Sequence, residues 1–379
     1  MAGIYIHIPF CKKACHYCNF HFSTSANYQN EMIDSILQEL FIQKDFFENE
    51  KIETIYFGGG TPSFIETYQI ERILNQIQNY FSLQDSLEIT LEANPDDLKK
   101  EKIQSLKKIG INRLSIGVQS FFDEDLIYMN RSHHAKQAIQ SIEDIITAGF
   151  TNYSIDFIYG FPLLSDEKWQ KNIDLLTHYQ VPHLSCYAMT VEAKTALNYL
   201  IEKKKIPPMN ESQSADQFIF LMDRLAEKGY HHYEISNFSR KGYEAIHNSN
   251  YWKSKKYLGI GPSAHSYNGK QRFWNISNNA KYISSLSKNL LNQEEETLTH
   301  KDIANETIMI SLRTSKGISK KIIEELLKNR ELEIFQTKIK NYIKSNLIFE
   351  QNEFYILTQQ GKLFADRIAM DLFIDTEYL

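Results

Sequence analysis

The chain alternates between short apolar runs and longer segments of helical period. The runs are GIYIHI, ETIYFGG, LEITLEA, NRLSIGV, YSIDFIYG and HLSCYAM, rich in the β-branched and aromatic residues that suit a pleated surface. Between them the periodicity predicts helices over Asn27 to Phe47, Thr67 to Phe81, Asp96 to Ile109, Ala135 to Ala148 and Asp166 to Tyr179. Several of these stop at a helix terminator such as Gly110 or Gly149, or before Pro182. Six strands, each followed by a helical crossover, predict an α/β fold with a parallel sheet, either doubly wound or closed into part of a barrel. Both architectures bind ligands beyond the carboxyl ends of their strands.

The residues expected at those ends share a character. Strand one runs into Cys11, Cys15 and Cys18, strand two into Gly58, Gly59, Gly60 and Thr61, strand three into Glu92, strand four into Gln119, while strand five carries Asp156 and strand six leads to Ala188. Any one of these alone is ordinary turn chemistry. Together, above a loop with three thiols, they predict one ligand-binding mouth.

After strand six the pattern changes. KKKIPPMNESQSA (Lys203 to Ala215) has the composition of an exposed loop before an amphipathic helix at Asp216 to Lys228, and GYHHYEISNFS then alternates as a strand does. From Lys301 three helical segments precede LIFEQNEFYILT, a hairpin pattern, and a last helix. That order is winged-helix-like, but Asp366 and Asp371 in the last helix do not suit a nucleic-acid reader. The division expected is 1–210, 211–300 and 301–379, the last a lid or partner-docking unit.

Composition narrows the partners. The 42 Lys and Arg against 47 Asp and Glu leave a net charge of -5, against a chain built to hold nucleic acid. MAGIYIHIPF lacks a basic n-region and interrupts its apolar run with His7 and Pro9, so it is no secretory signal. No apolar stretch is long enough to span a bilayer.

Three of the four cysteines fall inside CKKACHYC. Three crowded thiols suit a soft metal centre better than a disulfide, and a [4Fe-4S] cube held by three would leave one iron open to another ligand. A zinc site completed by His7, His16 or His21, or three unrelated buried thiols, is the alternative reading. Ligand thiolates imply a reducing compartment, and the cytoplasm is the simplest. Cys186, on strand six, has the character of a small buried residue.

The spacing C-x-x-x-C-x-x-C with Tyr17 before the last cysteine resembles the radical S-adenosylmethionine (SAM) signature. With FGGGTPS, LEANP, LSIGVQSF, MNR, IDFIYGFP, the tract YEISNFSRKGYEAIHNSNYW and YLGIGPSAHSY, nearly the whole chain resembles the coproporphyrinogen III oxidase-like branch of the radical SAM superfamily, and most closely its HemW-type haem chaperones. The resemblance implies a TIM-like partial (β/α)6 barrel with a C-terminal winged-helix-like domain. It implies cluster ligation by Cys11, Cys15 and Cys18, and SAM contacts from Tyr5, Tyr17, Gly59, Gly60, Thr61, Glu92, Gln119, Arg131, Asp156 and Ala188. Successive glycines would let the backbone approach SAM closely, and the polar side chains would meet its amino, carboxylate and ribose groups.

The HNxxYW tract, with His247, Asn248, Tyr251 and Trp252, implies haem binding within the same family. From the residues alone these side chains are equally a packed histidine and core aromatics. Lys253, Lys255 and Lys256, which follow directly, are expected to meet the haem propionates. Phe20 stands where the oxidase signature has a fourth cysteine, and the chain lacks the oxidases' longer stretch before the cluster. The resemblance therefore implies a protein that holds a [4Fe-4S] cluster, SAM and haem and delivers haem to acceptor proteins, membrane-bound ones included, with peripheral contact at the inner membrane face. An enzyme turning a SAM-derived radical on a porphyrinogen, and a zinc-stabilised binding module, are the competing functions.

Overall fold

A computed structural model describes residues 1–48 and 50–374. The six apolar runs form β1 (Ala2–Ile8), β2 (Ile52–Gly59), β3 (Leu83–Ala93), β4 (Arg113–Gln119), β5 (Tyr153–Tyr159) and β6 (His183–Ala188). They lie side by side in chain order and all parallel. A doubly wound sheet would reverse its order partway, so the arrangement is the singly wound partial barrel.

The crossovers include α1 (Gln29–Ile42), α2 (Thr67–Tyr80), α3 (Lys100–Lys108), α4 (Asp123–Tyr128), α5 (Ala135–Thr147) and α6 (Asp166–His178). They bury Ile and Leu faces against the sheet, as in α1 with Met32, Ile33, Ile36 and Leu40. Two expected helices are shorter than their periodicity suggests. α1 stops at Ile42, and the segment expected from Asp96 opens instead as a single 3-10 turn at Pro95–Asp97 before α3, since Leu98 and Lys99 leave helical geometry.

Beyond β6 comes α7 (Ala196–Glu202), and α8 (Glu211–Glu227) begins inside the stretch expected to be loop, five residues before Asp216. Asn210 is the reason for the early start of α8: its side chain accepts the Gln213 amide and supplies an N-cap.

The stretch from residue 231 to residue 297 extends both edges of the sheet. β7 (His231–Glu234) and β8 (Asn237–Ser239) form a hairpin on β6, antiparallel to it. The chain then returns through α9 (Ile246–Tyr251), packed against the amino-terminal parts of β2 and β3, to β9 (Tyr257–Ile260), which pairs parallel with β1. β10 (His265–Tyr267), β11 (Gln271–Asn275), α10 (Asn279–Leu286) and β12 (Gln293–Thr297) complete that edge, giving a sheet of 12 strands. Buried Glu39 of α1 latches this segment: it accepts from the Gly261 amide at 2.8 Å, Asn275 at 2.7 Å and Tyr282 at 2.5 Å. With Gln43 Nε2 at 3.0 Å as a fourth donor, the carboxyl that burial would otherwise penalise heavily is satisfied.

A second hydrophobic core runs from Ala304 to Leu372. It contains α11 (His300–Leu312), β13 (Ile318–Ser319), α12 (Lys320–Leu326), α13 (Arg330–Lys344), β14 (Ile348–Gln351), β15 (Phe354–Leu357), α14 (Gln359–Lys362) and α15 (Ala365–Leu372), with sheet order β13-β15-β14. This is the winged-helix-like arrangement. It joins the barrel through backbone: the Ile235 amide donates to the Arg313 carbonyl at 2.8 Å, and the Ser315 amide to that of Tyr233 at 2.9 Å.

Candidate functional site

The loop after β1 is held before any ligand is considered. The Cys11 amide donates to the Ser23 carbonyl and that of Ser23 to Pro9, while the Asn130 side chain donates to the Ala14 carbonyl at 2.7 Å. The three thiols face a cavity of about 430 Å³ at the carboxyl ends of the strands. Two carry positive or polar donors: the Thr61 hydroxyl donates to Cys11 Sγ at 3.4 Å, and Arg131 Nη1 to Cys15 Sγ at 3.3 Å. Burial raises the Cys11 thiol to about 11, so its thiolate needs a compensating cation.

Each of the three histidines of the zinc reading has one ring nitrogen against a protein oxygen. His7 Nε2 lies 2.9 Å from the His21 carbonyl, His16 Nδ1 2.8 Å from that of Tyr128, and His21 Nε2 2.7 Å from Asn279. Among the described residues no three His, Cys, Asp or Glu side chains converge on a single-ion geometry. Zinc requires such convergence at about 2.0–2.3 Å, whereas a four-iron cube takes its thiolates on separate irons. The residues present fit the cube.

Of the expected SAM contacts, Tyr17, Gly59, Gly60, Thr61, Glu92, Gln119, Arg131, Asp156 and Ala188 all line the cysteine cavity. Gln119 reaches it through a local irregularity: the β4–β5 register shifts between Gly117 and Gln119, and Gln119 adopts φ 68. Such a non-glycine conformation is costly and concentrates at functional sites. Its Oε1 is buried with no partner, as is Arg131 Nε. Buried polar atoms are normally satisfied, so these two point to a polar ligand.

Gly59, at φ 104, has His7 Nδ1 within 2.5 Å of where a Cβ would stand. At Gly60 the close neighbour is protein: its Cβ would fall 2.7 Å from the Phe10 carbonyl oxygen. That glycine therefore lets β2 approach the cysteine loop while its backbone stays in the cavity wall. Tyr5 is placed apart from the others, outside the cysteine cavity and in the walls of the two neighbouring ones.

Two carboxyls stand in the floor. Burial raises Glu92 to about 7 and Asp156 to about 6. Tyr56 donates to Glu92 at 2.8 Å, and Ser115 to Asp156 at 3.2 Å. Ser115, Asn94 and Tyr187 also line the cavity and were not singled out in the sequence. Asn94 accepts from Arg131 Nη2 at 2.7 Å, and LEANP, which contains both Glu92 and Asn94, was the available signal.

His247, Asn248, Tyr251 and Trp252 line a second cavity of about 520 Å³, which shares Glu92 and Tyr187 with the first. His247 itself is 2 % exposed. Its Nδ1 lies 2.8 Å from the Thr54 hydroxyl and its Nε2 2.9 Å from that of Tyr251, and its ring stacks on Tyr56. Burial lowers its pKa to about 3. Both nitrogens are thus occupied within the protein. Trp252 keeps a buried Nε1 without a partner, and Arg313 sits 5.6 Å over its ring.

The lysines are also committed. Lys255 pairs with Glu53, and Lys256 with Glu50 at 2.5 Å. The expectation of three free cations for propionates is corrected to one, Lys253, because the other two neutralise carboxylates on and before β2. Arg313, from the C-terminal unit, is the cation that lines this cavity.

A third cavity, of about 490 Å³, lies on the β9 side of Glu92. It is walled by Tyr5, Tyr251 and Tyr257, contains His265, and has Phe20 at a rim shared with the first cavity. Cys186 is buried in β6 and lines none of the three. No helix among the described residues is long and apolar enough to cross a membrane.

Comparison with known proteins agrees with this layout. Residues 5–176 match the radical SAM superfamily and residues 298–364 the HemN C-terminal domain. The chain is 32% identical to the haem chaperone HemW of Bacillus subtilis over 97% of its own length and 98% of that protein's. It is 32% identical to the haem chaperone HemW of Lactococcus lactis, covering 98% and 97%. Among solved structures it is similar to coproporphyrinogen III oxidase (HemN) from Escherichia coli, with a TM-score of 0.84, 23% identity, and coverage of 100% of this chain and 90% of that one. At that identity the likeness concerns the fold.

Proposed function

The chain belongs to the radical SAM superfamily and, within it, to the family of the haem chaperone HemW, and from that premise we propose that it is a haem chaperone. It holds a [4Fe-4S] cluster, SAM and haem, and delivers the haem in the cytoplasm to acceptor haemoproteins, membrane-bound ones included. The observation that carries this reading is the full-length likeness to curated haem chaperones. It is supported by a cavity lined by the HNSNYW tract that shares Glu92 and Tyr187 with the cysteine cavity.

The geometry supports a role for each residue within this reading. Cys11, Cys15 and Cys18 are the thiols that would hold the cluster, which supplies an iron free of protein ligands. Arg131 balances their charge beside Cys15 and Tyr17. Gln119 Oε1 and Arg131 Nε, buried and unpartnered, are available to the polar groups of SAM. Glu92 and Asp156 sit near neutrality in their titration, so each can accept from an ammonium or ribose hydroxyl as a carboxylate or donate as an acid. Phe20, 70% exposed at the rim, offers an apolar surface where the oxidases carry a fourth thiol. The unit from residue 301 onward places Arg313 at the second cavity, as a lid or docking surface would.

Anaerobic reconstitution followed by haem titration and a coproporphyrinogen turnover assay tests the proposal. The expected result is an iron- and sulfide-containing protein that retains haem stoichiometrically and forms no decarboxylated product. Catalytic turnover of the porphyrinogen would overturn it in favour of an oxidase.

A further inference from the structure

We propose that His265 supplies the imidazole that takes the haem iron, in the third cavity beside Tyr251 and Tyr257. The inference rests on the haem-chaperone reading and assigns the ligand within it.

Four histidines line the three cavities: His7, His21, His247 and His265. An iron ligand needs an imidazole nitrogen with a free lone pair. His7 has Nε2 at the His21 carbonyl and Nδ1 3.3 Å from the Tyr5 hydroxyl. His247 is bonded at both nitrogens, and His21, whose Nδ1 is unbonded among the described residues, is tethered through Nε2 to Asn279. Among the described residues, His265 alone of the four has neither ring nitrogen in a hydrogen bond.

Its setting suits the task. β10 pairs with β11 so that His265 lies opposite Trp274, and the two rings stack at 6.1 Å with an interplanar angle of 27°. Trp274 is held in turn by Nε1 donation to Glu294 at 3.1 Å. The imidazole is therefore oriented by a strand and a neighbouring ring while remaining exposed. Partial burial of the ring, exposed along one side, and the nearby Arg272 lower its pKa, which keeps the neutral, coordinating form available at neutral pH.

The aromatic walls fit a flat macrocycle. Tyr251 belongs to both the second and third cavities, and Tyr257 meets it edge to face at 4.7 Å. The HNSNYW tract then contributes to haem binding through the faces of Tyr251 and Trp252. His247 acts as a positioning residue that fixes the Tyr251 hydroxyl. An exposed single imidazole also leaves the opposite iron face open to an acceptor's ligand, which a delivery protein requires.

The test is haem titration of the reconstituted full chain, read by absorption and by electron paramagnetic resonance of the ferric form, in native, His265→Ala, His265→Met and His247→Ala proteins. His265→Ala is expected to shift the Soret band and to weaken haem binding by at least about tenfold, with recovery on adding imidazole. His265→Met is expected to give a different, thioether-type spectrum, and His247→Ala to keep the native imidazole signature. Iron, sulfide and SAM binding should be unchanged in both His265 variants. A native-like haem spectrum in His265→Ala would overturn the assignment while leaving the chaperone reading intact. A native protein that retains no haem would overturn both.

Discussion

The cysteine cavity and the cavity under α9 are neighbours that share Glu92 and Tyr187, yet their most reactive side chains are in opposite states. In the first, Gln119 Oε1 and Arg131 Nε are buried without partners, and three thiols face open space. In the second, the residue with the most obvious chemistry, His247, is bonded at both nitrogens. The first is an unfinished structure that a ligand completes. In the second the imidazole is finished by the protein itself, while Trp252 Nε1 and Asn237 Oδ1 stay open. An unsatisfied buried atom is a better guide to a ligand than the identity of the residue that carries it.

The sharpest break of this contrast is removal of a thiol. Cys15→Ala should abolish the cluster, because the fourth cysteine, Cys186, is buried in β6 away from the loop, whereas Cys186→Ala should leave it whole. Iron and sulfide analysis after anaerobic reconstitution checks this, and equal content in Cys15→Ala and the parent would remove the loop from the metal site.

His247→Ala tests the finished side. Loss of a buried, stacked ring that leaves the Thr54 hydroxyl unpaired should destabilise the fold by about 2–4 kcal/mol. Denaturant unfolding of the ligand-free protein measures it. A negligible change would mean that the ring is kept for a ligand rather than for packing.

Glu92→Gln should move the shared wall in two directions at once. The carboxyl is raised from 4.5 to about 7, mainly by burial, so the folded state binds its proton more tightly than the unfolded chain does. Its cost to stability is absent below pH 4.5, grows between 4.5 and about 7, and is complete above that. The variant should therefore be more stable than the parent at pH 8, by about 1–3 kcal/mol, and equal to it near pH 4. Its SAM affinity at pH 8 should fall. Thermal melts at both pH values and calorimetric titration separate the two effects, and equal melting temperatures at pH 8 would contradict the buried-carboxyl account.

The smallest change is expected from replacing Lys253, Lys255 and Lys256 together with Gln. Lys256 faces Glu50 at the surface, a pair worth below about 1 kcal/mol, while Glu53, mostly buried beside Lys255, keeps the Asn250 amide as a partner, and haem affinity at low ionic strength should hold. A marked fall would restore these lysines to the haem site and weaken the distinction between the two cavities.

What could be seen in the sequence follows from how local each signal is. The six strands and the convergence of Cys11, Gly59, Glu92, Gln119 and Asp156 were legible because period-two runs and strand-end residues report on their own neighbourhood. The route of the chain after β6 was not. β9 reaches β1 by pairing Gly3 with Tyr257, a contact that no periodicity announces. The state of His247 was equally hidden, since it depends on Thr54 and Tyr56 in another strand. Likewise His265 drew no notice within GPSAHSY, because its importance rests on being the ring left unbonded when the others are placed.

The parallel pairing of β9 with β1 also sets an order of events during synthesis. β2 can dress one side of β1 after some fifty further residues have been made, as in Tyr5 opposite Tyr56, but the other side stays bare until Tyr257 to Ile260 emerge. Through most of translation the cysteine loop hangs from a strand with an open edge, the kind of surface that recruits foreign strands. The Glu39 latch to Gly261, Asn275 and Tyr282 forms only after that closure. A nascent chain stalled before residue 257 would thus expose both its metal-binding thiols and an unpaired strand, and the cell must finish the protein quickly or shield it until it is done.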